Sequence, residues 1–200
     1  MAFTLLKREF GLDPLLGLSL EGSTIMGLKG KRESKALYIL LTDTKTRFSK
    51  LSKFLTRQPY NHVSVAFDEG LEWVYTYSLF NLNGLRGGLE RETKEDLKGA
   101  HYALYRINVT EEVYRRVQER VLWMEANRDS TKYNHLGLIN AIFQRDLIGN
   151  EDEMSGICSE FVHKLFDSAG VKLLNTKTHA VRPYDLIQSE LLEFVAEGEL

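Results

Sequence analysis

Hydrophobic and polar positions follow distinct periods along this chain of 200 residues. Ala36-Leu-Tyr-Ile-Leu-Leu-Thr42 is a short continuous apolar run, which predicts a buried strand. Residues 45–56 change to a helical period. Phe48, Leu51, Phe54 and Leu55 share a face, and Lys45, Arg47, Lys50, Lys53 and Arg57 cover the rest. Pro59 ends that helix. From Tyr60 to Phe67 the pattern alternates: Val63, Val65 and Phe67 point one way, and His62, Ser64 and Ala66 the other. Asp68-Glu-Gly70 supplies a turn, and Leu71 to Ser78 is predicted as the return strand of a hairpin.

Further along, Gly87 and Gly88 mark a turn or bulge before a short strand at 89–92. Tyr102 to Val109 is another strand. Thr110 then caps a long helix, with Glu111 and Glu112 in its first turn and Val113, Val117, Val121 and Met124 as its buried stripe. A second helix is predicted at roughly 134–144, followed by an acidic loop from Leu147 to Met154. After Gly156, Cys158, Phe161, Val162, Leu165, Phe166 and Ala169 fall on one helical face, and Gly170 is the stop signal. Pro183 to Ser189 reads as a single helical turn with Pro at its start, and Leu191 to Ala196 as a last strand. The prediction is an α+β fold, a small antiparallel sheet packed against helices.

Residues 1–35 are an N-terminal extension and 36–200 a single domain, with no internal repeat and no dividing linker. Leu15 to Leu20 fits a short strand, a peripheral helix or an arm across the core equally well. Lys29 to Lys35 is a charged connector. Hydrophobic residues make up 43% and charged residues 27%, a globular balance. The net charge of −2 brings no general pull towards nucleic acid. No apolar run approaches the ~20 residues that span a bilayer, and the N-terminus lacks the ordered regions of a signal peptide. The expectation is a cytoplasmic protein without stable membrane insertion. The glycine-rich stretch at 79–88 matches neither nucleotide-loop pattern, so no cofactor is called for.

The chemistry centres on the single cysteine, Cys158. It stands in the first turn of its helix, where unpaired N–H groups and partial positive charge stabilise a thiolate. The same position also suits a small buried residue, and the segment alone leaves both readings open. A thiol nucleophile needs a base within hydrogen-bond reach. Of five histidines, His163 lies about 140° round the helix from Cys158 at ~100° per residue, which predicts a surface position. His101, His135 and His179 fit structural or loop roles. His62 opens a strand, and its same-side companions Ser64 and Ala66 are small, leaving room for the Cys158 helix.

Asn61-His-Val-Ser-Val-Ala-Phe-Asp68, followed far downstream by Ile157-Cys-Ser-Glu-Phe-Val162, resembles the permuted branch of the NlpC-type, papain-like cysteine hydrolases. That branch includes the YiiX-like proteins and, more distantly, the lecithin–retinol acyltransferase group. Its His strand precedes its Cys helix, as here, and the resemblance covers roughly residues 36–195. It implies Cys158 as nucleophile and His62 as general base, then general acid, in cleaving an amide or ester through an acyl-enzyme. The implied substrates are peptides, other amides or lipid acyl groups. The family's third polar group sits on the strand after the His strand. A turn centred on Glu69 places Thr76 opposite His62, and a tighter one places Tyr77 there. Thr76 is thus the weak assignment for that role, while Glu72 lies nearer the turn. Tyr60, Tyr75, Tyr77, Phe80 and Tyr133 can line a groove or pack the core. Two rivals stand beside this reading: a non-catalytic peptide- or lipid-binding module of the same fold, and a structural protein in which Cys158 is merely buried.

Overall fold

The computed structural model of the chain describes residues 34–43, 58–80, 86–143 and 152–200. The predicted helix over 45–56, the Leu-rich stretch at 15–20 and most of the acidic loop lie outside these residues. The chain divides into residues 1–31 and 32–200.

The continuous apolar run becomes β1 (Ser34–Asp43). It pairs antiparallel with β2 (His62–Ala66) on one side and β5 (His101–Thr110) on the other. Leu37, Ile39 and Leu41 enter one hydrophobic cluster, and Tyr38 and Leu40 enter a second on the opposite face. A strand buried on both faces needs apolar residues at every position, which is why this one shows no alternation. β3 (Val74–Phe80), β4 (Arg86–Glu92) and β8 (Glu193–Glu199) complete a six-stranded sheet in the order β4-β3-β2-β1-β5-β8. All its neighbouring strands are antiparallel. Helices α1 (Glu111–Ala126), α2 (His135–Phe143) and α3 (Cys158–Ser168) make the fold α+β. β6 (Lys132–Tyr133) and β7 (Ser155–Gly156) form a separate parallel pair.

Local signals fix the helix ends. The Thr110 hydroxyl accepts the Val113 N–H at 3.3 Å and caps α1. At the end of α3, Gly170 takes φ +84°, and the Val171 N–H reaches back to the Phe166 carbonyl at 2.9 Å. This reversal closes the last turn and favours glycine. Gly88 serves close approach: a Cβ there would meet Thr131 Oγ1 at 2.5 Å. The Thr131 hydroxyl in turn accepts the Leu89 N–H at 2.9 Å, tying β4 to the chain after α1.

Two expectations need correction. α3 packs on the Val63 and Val65 side of β2, because Phe161, Val162, Leu165 and Phe166 join those valines in the first cluster. Ala66 belongs to the second cluster, on the other face. Bulky side chains gain more by covering valines and tyrosines than by covering Ser64 and Ala66, since burial energy scales with apolar area. The hairpin is also longer than predicted. Leu71 adopts φ 57° and buries its side chain in the second cluster, so β3 starts only at Val74. The observed register pairs Val65 with Tyr75 and Ala66 with Val74. Extended along β2, it sets Thr76 opposite Ser64 rather than His62.

Candidate active site

His62 is the first residue of β2 and Cys158 the first of α3, and the imidazole is hydrogen-bonded to the Cys158 side chain. Ile157 is extended, at φ −96° and ψ 170°, and the helix starts immediately after it. Isoleucine has no side-chain acceptor with which to cap a helix. The Glu160 carboxylate reaches back instead and accepts the Ile157 N–H at 3.2 Å. Cys158 is buried, at 6% exposure, and belongs to the first hydrophobic cluster.

The His62 imidazole has two electrostatic partners, Cys158 and Glu92. Its Nε2 stands 3.8 Å from Glu92 Oε2, an ion-pair distance rather than a hydrogen bond. The two side chains are 13% and 14% exposed. Burial pulls the imidazole down, but hydrogen bonding to Cys158, together with the charges of Cys158 and Glu92, outweighs it and pushes the pKa up to about 10. These partners favour the protonated ring. Among the described residues, Glu92 Oε2 is buried without a hydrogen-bond partner, and the His62 ring is the charge partner it faces.

Thr76 does not serve His62. Its buried hydroxyl donates to the Val63 carbonyl at 2.7 Å. Glu92 was not among the residues singled out from the sequence. It lies on the second strand beyond the one bearing His62, opposite Val74, and only the true hairpin register reveals its approach. Its neighbour Glu90 is engaged elsewhere, by the Arg128 guanidinium.

Tyr133 is half-buried, paired in register with Gly156 just ahead of the cysteine. Burial and the charges of Cys158 and Glu160 hold its phenol well above the usual tyrosine range, so it remains a hydrogen-bond donor. Tyr60 stacks on Tyr184 with centroids 6.3 Å apart. Tyr75 and Tyr77 are core residues, and the Tyr77 hydroxyl donates to the Met154 carbonyl at 3.2 Å. The side chain of Phe80 lies outside the described residues.

The other histidines separate clearly. His163 is buried, at 4% exposure, rather than on the surface. Its Nδ1 is 3.0 Å from Thr178 Oγ1, and burial pulls its pKa down. The chain from Thr178 to Gln188 covers that side of α3, and the Ser159 hydroxyl donates to the Val181 carbonyl at 2.6 Å. His101 and His135 are exposed. His179 lies in the short turn Thr178–Ala180, and its side chain is outside the described residues. Among the described residues, no group of three or more His, Cys, Asp or Glu side chains is placed to hold a metal ion. No described helix is long and apolar enough to cross a membrane.

No protein-family model matches the chain, and no curated protein matches it.

Proposed function

We propose that the chain is a thiol hydrolase or acyltransferase of the permuted papain-like kind, with Cys158 as nucleophile and His62 as its acid–base partner. The observation that carries this reading is the His62 imidazole set against both Cys158 and the half-buried Glu92 carboxylate. Residues far apart in sequence converge on the groups such chemistry needs.

In the proposed reaction, the Cys158 thiolate attacks an amide or ester carbonyl, and the carbonyl oxygen takes up negative charge. The Cys158 backbone N–H, at the helix start, and the Tyr133 phenol are the donors for that oxyanion. The intermediate collapses, the leaving amine or alcohol takes the His62 proton, and a thioester remains. Neutral His62 then removes a proton from water or another acceptor as it attacks the thioester, and the thiolate departs. Glu92 orients the imidazole and stabilises it whenever it carries the proton. Peptides, other amides and lipid acyl groups are the substrate classes this reading offers.

Alkylation of Cys158 by iodoacetamide at pH 7 tests the dyad. His62→Ala should slow it by about tenfold or more, because the thiolate is the reacting form. Equal rates in the two proteins would refute it. Turnover on a panel of esters and amides should vanish in Cys158→Ala.

A second reading, a non-catalytic peptide- or lipid-binding module, draws on a cavity of about 640 Å³ beside α1 and α3. Tyr77, Met124, Phe161 and Leu165 give it apolar walls, and Arg120 and Lys164 add charge. Neither His62 nor Cys158 lines it. Ligand binding without Cys158-dependent turnover would favour this alternative.

A further inference from the structure

Glu160 is a carboxylate with no solvent exposure, two residues beyond Cys158. Burying a carboxylate is expensive unless donors surround it. Here Ile157 donates its N–H at 3.2 Å, and the Asn134 side-chain amide stands 3.3 and 3.5 Å from the two oxygens. Asn134 is itself fixed at both ends. Its backbone N–H donates to the Gly156 carbonyl at 2.9 Å, and its Oδ1 accepts the Gly137 N–H at 2.9 Å. Space around the carboxylate is just as tightly specified. A Cβ on Gly137 would stand 2.6 Å from Glu160 Oε1, and one on Gly156 would stand 3.4 Å from Oε2.

The carboxylate therefore stitches together the residues entering α3 and the residues after Tyr133. A helix cap alone does not call for this, since serine or aspartate at the Ile157 position would cap at lower desolvation cost. The feature specific to this arrangement is that both proposed oxyanion donors hang from the stitched segments: the Cys158 N–H on one, the Tyr133 phenol on the other.

Resting on the thiol-hydrolase reading above, we infer that Glu160 is a positioning residue that sets the two oxyanion donors, acting through Ile157 and Asn134 rather than touching substrate. Such a role has a kinetic signature. Alkylation by iodoacetamide develops no oxyanion, whereas acylation by p-nitrophenyl acetate does. Glu160→Gln keeps the shape and one acceptor for Ile157 but offers Asn134 a weaker, uncharged partner.

The experiment compares both reactions at Cys158 in the full chain and in Glu160→Gln. Alkylation should stay within about twofold, while acylation should fall about tenfold or more, a part of the ~10²–10³ lost when an oxyanion donor is removed outright. Asn134→Ala cuts the same tie from its other end, should reproduce the split, and serves if Glu160→Gln does not fold. Equal losses in both reactions, or no loss in either, would overturn the inference and leave a purely structural carboxylate. Absence of Cys158 acylation in the unsubstituted chain would instead overturn the hydrolase reading, and this inference with it.

Discussion

His62 Nε2 lies 3.8 Å from Glu92 Oε2, although their strands are two steps apart in the sheet. Glu92→Gln removes the charge and keeps the shape. The imidazole midpoint should fall from about 10 towards neutrality, as NMR titration of the ring would show. Acylation at pH 7 should drop about 10- to 100-fold, part of the ~10²–10⁴ that a positioned acid–base group supplies. An unmoved His62 titration would remove Glu92 from the site.

Stability should fall away on both sides of neutrality. Burial holds His163 below its ordinary 6.5, aided by Lys172 and opposed by hydrogen bonding to the Leu174 backbone and by Asp167. Below about pH 6.5 the unfolded chain therefore binds a proton that the folded chain refuses, and stability drops with falling pH. His62 behaves in the opposite sense. Its stabilising contribution is complete below its ordinary 6.5 and is lost as pH rises through about 10. Urea midpoints measured across this range should fall at both ends. His163→Gln should flatten the acid limb and His62→Gln the alkaline one; limbs that persist in these variants would show that other groups set them.

Gly88→Ala should destabilise the chain by about 1–3 kcal/mol, the usual cost of forcing atoms into a filled site. The added methyl would meet Thr131 Oγ1 at 2.5 Å and the Thr131 carbonyl oxygen at 2.9 Å. Relief requires Thr131 to move, and that breaks its bond to the Leu89 N–H. A thermal melt reads the effect. An unchanged melting temperature would mean that β4 shifts freely there.

Much of the architecture was legible because local period and burial agree. The apolar run of β1, the Thr110 cap of α1 and the Gly170 stop of α3 each carry a signal within a few residues. The site was less legible because its remaining members depend on distant partners. Between β2 and β3 the ladder pairs only Val65 with Tyr75 and Ala66 with Val74. The Val63 carbonyl therefore looks for another donor, and the Thr76 hydroxyl becomes that donor. No period in the sequence announces this. His163 illustrates the same limit. Its angle round α3 predicted exposure, but residues 178–188 return to cover it, a long-range event invisible to helical geometry.

β8 closes one side of the sheet and carries Glu197 and Glu199 in its last three residues, while Arg106 pairs with its Glu193. An outermost strand is a ready template for a stranger's backbone, and like charges make a second copy of the same strand an unwelcome guest. That protection is ionic and so depends on the solvent. At ~1 M salt, where charges are felt over only ~3 Å, the repulsion between copies fades. Concentrated stocks of this protein should accordingly keep better in dilute buffer than in brine.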